Sequence, residues 1–162
     1  FQNLYPIGGA EPAPFDTGKA LFDSFFASDE HELEPVPGAA EALRRLSEIA
    51  QVVVLTNAPA NARAGRSRWL AAHDMGYPLI INEGLKGPEC ARLADRTERP
   101  VAFVDDLLHN LRSVAEDAPR IVLFQSIADP RLRPLAPTDP AVCVRHDDWA
   151  ELEPALARVL AA

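Results

Sequence analysis

Apolar residues recur along the chain with two spacings. Leu21, Phe22, Phe25 and Phe26 fall at i, i+1, i+4 and i+5, one stripe of a short helix for which Thr17 is a candidate cap. Ala39, Ala42, Leu43, Leu46 and Ile49 continue at helical spacing from Pro37, a suitable first helical position, to about Ala50. Arg63 to about Asp74 reads as a helix stopped by Gly76, with Arg63, Arg66 and Arg68 on a solvated face. Pro88 opens a helix with Cys90, Leu93 and Ala94 inward, and Leu108, Leu111, Val114 and Ala115 mark the next. Trp149, Leu152, Leu156 and Leu160 mark a last helix, capped by Asp147 or Asp148. Between these stripes lie short apolar runs: Val52–Leu55, Leu79–Ile81, Val101–Val104, Ile121–Phe124 and Val142–Val144. Such runs read as strands buried on both faces. Strands alternating with helices predict a doubly wound parallel α/β sheet with helices on both faces.

Prolines divide the chain. Pro6, Pro12, Pro14 and Gly8-Gly9 oppose helix and central strand in the first fourteen residues, and Asp129–Pro140 reads as a Pro-rich surface loop. Residues 35–162 form the α/β core, and residues 1–34 are an appendage to it. The 162 residues suffice for one domain, and neither an internal repeat nor a second core is visible.

Composition narrows the function. Apolar residues make up 48%, charged residues 25%, and the net charge is −8. That balance is globular, and the negative field argues against nucleic acid and anionic membranes as partners. No apolar run reaches a membrane span, and Phe1–Gly9 has no signal-peptide pattern. Cys90 and Cys143 are far apart, so the reading is two reduced structural thiols in a cytoplasmic protein. His31, His73, His109 and His146 form no pair at metal-ligand spacing, and Trp69 and Trp149 read as core anchors.

The chemistry gathers where apolar runs turn polar. Val101-Ala102-Phe103-Val104 runs into Asp105-Asp106, followed by Asn110 one helical turn beyond Asp106. Val52–Leu55 runs into Thr56-Asn57, and Leu79–Ile81 runs into a loop, Asn82 to Gly87, that carries Lys86. Ligands bind at the carboxyl ends of strands in open α/β sheets. Two adjacent acids there need a positive partner, commonly a divalent metal. A hydroxyl, an ammonium and a carboxylate pair together suit phosphate chemistry: Thr56 and nearby N–H groups on a phosphoryl oxygen, Lys86 as point charge, the acids on Mg²⁺.

Taken in order, "VVVLTN", "GLKG" and "VAFVDDLLHNLRSV" resemble the second, third and fourth motifs of the haloacid dehalogenase-like (HAD) hydrolase superfamily, over roughly Pro35 to Leu160. The resemblance implies a Rossmann-like sheet and Mg²⁺-dependent hydrolysis, usually of a phosphate ester on a small substrate. It implies that Thr56 hydrogen-bonds the phosphoryl group, with Asn57 beside it, and that Lys86 steadies that group and the nucleophile. Asp106 matches the metal ligand, Asp105 a second ligand or a support behind it, and Asn110 lies behind both. Phe15–Glu34 matches a small helical cap, incomplete here.

One motif is missing. The family's first strand ends in Asp-x-Asp, whose first acid forms the aspartyl-phosphate and whose second is the general acid/base. The nearest decoy, Phe15-Asp16-Thr17-Gly18, follows prolines and has no apolar strand before it. That strand would lie centrally, between Val52–Leu55 and Val101–Val104, and its absence is expected to leave two inner sheet edges open. The economical expectation is N-terminal truncation, agreeing with a first residue that is Phe and not Met, and a chain that is inactive and binds Mg²⁺ weakly or not at all. The alternative is a degenerate, non-catalytic domain that binds a phosphorylated ligand or a protein partner. A receiver-type signalling domain has similar residues in another order, its acid pair preceding the Thr and the Lys.

Overall fold

The computed structural model describes residues 4–27 and 33–162. Among the described residues there are five short strands, each separated from the next by a helix except β4 and β5, which a long loop joins. Strand β1 (Val54–Thr56) pairs in parallel with β2 (Leu79–Ile81), Leu55 opposite Ile80. Strands β3 (Ala102–Asp105), β4 (Val122–Gln125) and β5 (Val144–Arg145) form a second parallel sheet in that order. The expected parallel α/β architecture is therefore present, but in two pieces. Among the described residues, β1 is laddered only to β2 and β3 only to β4.

The helices are α1 (Phe15–Ala27), α2 (Ala39–Leu46), α3 (Arg63–Ala72), α4 (Gly87–Ala94), α5 (Leu108–Asp117) and α6 (Trp149–Leu160). Helices α4 and α5 cover one face of the three-stranded sheet and α2 and α6 the other, because alternate strand residues point to opposite sides. Leu123 and Phe103 pack with Cys90, Leu111 and Val114 of α4 and α5. Phe124, Ala102 and Val104 pack instead with Leu46 of α2 and Leu152 and Leu156 of α6. Arg45 bridges α2 to α6 through a two-pronged pair with Glu153, both contacts at 2.6 Å. Trp69 anchors a third cluster and donates its indole N–H to the Leu33 carbonyl at 2.9 Å. Cys90 and Cys143 are free and buried, as expected of structural thiols, and burial pushes Cys90 up to about 11. Among the described residues no helix is long and apolar enough to cross a membrane.

Element boundaries differ from the sequence pattern for local reasons. The main strands end one residue later, at Thr56, Asp105 and Gln125, because backbone pairing continues past the last apolar side chain. Thr56 O still accepts from Asn82 N at 2.8 Å, and Asp105 O from Ser126 N at 3.2 Å. Helix α1 opens at Phe15, ahead of Thr17. Helix α2 starts after Gly38, which takes φ +80, and ends at Leu46 in place of Ala50. There the Ser47 hydroxyl turns back onto the Arg44 carbonyl at 2.6 Å. Helix α3 is stopped by Asp74 and not Gly76: Asp74 adopts φ 58, and Met75 N reaches back to Leu70 O at 2.8 Å. His31 and Phe1–Asn3 lie outside the described residues.

Asp148 occupies the cap position of α6, but neither it nor Asp147 caps through its side chain. The Asp147 carboxylate accepts from Ile127 N at 2.9 Å and from the Arg145 guanidinium at 2.8–3.0 Å. These bonds, the Arg145 contact first, hold Asp147 below its usual range. An acid depressed in the fold contributes stability above its unfolded pKa, and that stability is lost as pH falls through the folded one. Asp147→Asn is expected to cost about 1–3 kcal/mol at pH 7. Urea melts from pH 7 down to pH 3 should show a shallower acid slope in the variant than in the parent; parallel slopes would assign the acid sensitivity elsewhere.

Candidate functional site

The carboxyl ends of β1, β2 and β3 lead into the polar segments singled out in the sequence. At the end of β1 the Thr56 hydroxyl oxygen accepts from Ala58 N at 3.2 Å. This leaves the hydroxyl proton available to a further acceptor. Asn57 ties the two neighbouring loops together. Its amide donates to Gly84 O at 2.8 Å, and its oxygen accepts from Asn82 Nδ2, also at 2.8 Å. Asn82 also donates to Gly84 O at 3.1 Å. Gly84 can make this turn because it takes φ +80. The clip fixes the loop that delivers Lys86 to the start of α4.

Lys86 and Asp105 meet across the open edge of β3. Nζ lies 2.7 Å from Asp105 Oδ2, with only 13% and 3% of the two side chains exposed. The ammonium also stands 5.8 Å from the Phe103 ring centre. The other Asp105 oxygen, Oδ1, accepts from Leu107 N at 2.8 Å and from Asn110 Nδ2 at 3.1 Å. Three donors on one buried carboxylate are what its desolvation requires. Asp105 is thus held by three protein donors, one on Oδ2 and two on Oδ1. Asn110 itself is 2% exposed, and its Oδ1 is buried with no hydrogen-bond partner.

Asp106 differs. It is exposed, yet partial enclosure of its carboxylate, and secondly the charge of Asp105, raise its pKa above the ordinary value. Gln125, fully buried on β4 opposite Asp105, holds the turn by donating to Asp106 O at 3.1 Å. A hard oxygen donor of this kind suits Mg²⁺, which is bound by one or two carboxylates with waters and substrate phosphate completing the sphere. Asp106 fits as one such donor. Among the described residues no group of three or more His, Cys, Asp or Glu side chains gathers as a metal site.

Hydrogen bonds join Lys86 and Asn110 to Asp105, with Asp106 next along the chain, and join Asn57 to the loop before Lys86 through Gly84 O; Thr56 stands beside Asn57 at the end of β1, its hydroxyl accepting from Ala58 N. Gln125 and the Asn57–Asn82 clip were not predicted. The signal for Gln125 was available: a lone amide closing the apolar run Ile121–Phe124 must find buried partners. Asp16, the decoy, lies in the first turn of α1 and at no strand end. His109 is exposed at the start of α5, and His146 meets Glu151 at 3.3 Å.

No family model and no curated protein matches the chain. Among solved structures, a protein of Burkholderia xenovorans assigned as a haloacid dehalogenase-like hydrolase superposes with a TM-score of 0.58 at 21% identity. The alignment covers 91% of this chain and 69% of that one. The fold is thus the HAD-like α/β fold that the motifs imply.

Proposed function

We propose that the chain carries the phosphoryl-handling part of a Mg²⁺-dependent phosphate-ester hydrolase. The carrying observation is the buried Lys86–Asp105 pair at the carboxyl end of β3, beside Asp106, with β1 and β3 each laddered on one side alone among the described residues. A parallel strand between β1 and β3 would join the two sheets into one. Its carboxyl end would emerge among Thr56, Lys86 and Asp106. There a carboxylate could attack phosphorus, and the chain would then need a segment ahead of Phe1 for activity. Within the chain, the Thr56 hydroxyl donates to a phosphoryl oxygen and the Lys86 ammonium neutralises charge on the transferring group. Asp105 and Asn110 hold Lys86 in place. Asp106, with water and substrate oxygens, would hold Mg²⁺, which offsets charge developing on the phosphoryl oxygens. Small phosphorylated molecules are the substrates, and the two buried free thiols suit a reducing compartment such as the cytoplasm.

The sparse carboxylate set favours a second reading, a domain that binds a phosphorylated ligand without turning it over. Coding sequence upstream of Phe1 separates the two. It is expected to encode an apolar strand ending in Asp-x-Asp; an in-frame stop there removes the hydrolase reading. The extended protein is expected to release phosphate from small esters only with Mg²⁺. Lys86→Ala and Asp106→Ala should each lower kcat by about 10²–10³. Turnover retained in both variants rejects the site.

A further inference from the structure

The chain spends many polar contacts on shaping one long loop. Residues 127–137 leave β4 and pass over the start of α5, and polar side chains hold them at both ends. Gln125, fully buried, donates to Pro137 O at 2.9 Å as well as to Asp106 O. Arg133 donates to Ile127 O, Asp147 O and the Asp148 carboxylate, each at 3.0 Å, and Arg145 donates to Arg133 O at 3.0 Å. Residues 127–137 belong to the connection 126–143 between β4 and β5, and a connection longer than about 12–15 residues without helix or strand is, when ordered, usually functional. Pinned so firmly, it still presents Leu132 and Leu135 at 54% and 78% exposure, beside Leu107 at 47%. Between the loop and α5 lies a cavity of about 400 Å³, walled by Leu107, Ile127, Leu132, Leu135 and Pro137. Asp106 also lines it. The candidate phosphoryl site and the apolar cavity therefore share a residue.

The geometry points to this cavity as the pocket for a neutral apolar group, an aryl or branched alkyl moiety, carried by the phosphate ester. The inference rests on the hydrolase reading for the word ester, and on the cavity alone for the apolar group. Charge selects the occupant. In the metal-free chain, the form used in the binding test, the Asp106 carboxylate repels an anionic group. The nearby cation, Arg112, is already paired with Asp139 at 3.0 Å. His109 adds an aromatic edge with a hydrogen-bonding nitrogen. A neutral ring loses little on leaving water and gains the apolar wall, whereas a carboxylate or second phosphate meets, among the described lining residues, a single cation that Asp139 already holds.

The test uses 2-naphthol as probe, with the chain ¹⁵N-labelled. Saturable shifts are expected at the amides of Leu107, Ile127 and Leu135, with 2-naphthoate binding at least fivefold more weakly. Leu135→Asp, at a position too exposed to matter for folding, should weaken naphthol at least fivefold, and Ala136→Trp should abolish it by filling the cavity. Shifts elsewhere, equal binding of naphthoate, or naphthol binding unchanged in Leu135→Asp would overturn the pocket. In the upstream-extended protein, Leu135→Asp should raise KM for 2-naphthyl phosphate with little change in kcat. Naphthol binding without hydrolysis of any ester would sink the hydrolase reading and leave the pocket standing. Hydrolysis with an unchanged KM would do the reverse.

Discussion

Asp105→Asn is expected to cost the fold about 3–5 kcal/mol, because it strands the Lys86 ammonium in a site from which water is nearly excluded. The asparagine oxygen can still accept from Leu107 N and Asn110 Nδ2, so those two bonds survive. What is lost is the 2.7 Å contact with Nζ, now faced by an amide that donates as well. Lys86→Met is milder, since Asp105 keeps two of its three donors. The pair replaced together, Lys86→Met with Asp105→Asn, removes the stranded charge and should recover most of the loss. Urea denaturation of the four proteins at pH 7 gives the coupling directly. A double variant as unstable as the two single losses added would mean that the pair is not a unit. The same pair fixes where Lys86 points, so the proteins that test stability also test positioning of the group held responsible for phosphoryl binding.

Much of this was legible in the sequence because it rests on local pattern. The run from Val101 into Asp105-Asp106 reads as a buried strand delivering charge at its end, and β3 does deliver it, although its apolar residues are only half-buried. Lys86 and Asn110 followed from the spacing of polar residues after apolar runs. The separation of β1 and β3 into two sheets among the described residues matches the expectation drawn from the first motif that the resemblance implies. Other features depend on contacts between segments far apart and left little trace. Asp105 and Asp106 look equivalent side by side, yet their environments differ: the first is buried and bonded by Lys86, Leu107 and Asn110, the second is exposed to solvent. Asn57 reads as a ligand for substrate in the sequence, and the fold uses its amide to join two loops. The stop of α3 at Asp74 was hidden because an aspartate in the left-handed region is uncommon, and Gly76 offered the more obvious signal.

Gly87 shows how backbone packing feeds the site. It opens α4, immediately after Lys86, and is buried where α4 meets α5. Its amide donates to the Ser113 hydroxyl at 3.0 Å. A methyl group here would overlap the Ser113 carbonyl and hydroxyl and the Asp117 carboxylate. The Asp117 side chain could swing away, but the Ser113 carbonyl belongs to the backbone of α5 and cannot. Gly87→Ala must therefore push the two helices apart, at a cost of about 1–3 kcal/mol for the forced repacking. The displacement begins one residue from Lys86, so the Lys86–Asp105 contact is expected to lengthen as well. In Gly87→Ala, the coupling between Lys86 and Asp105, measured by the same double-variant cycle, should fall below its value in the parent. A stable Gly87→Ala protein with full coupling would show that α4 can shift without carrying the lysine along. A destabilised one with full coupling would confine the role of Gly87 to helix packing.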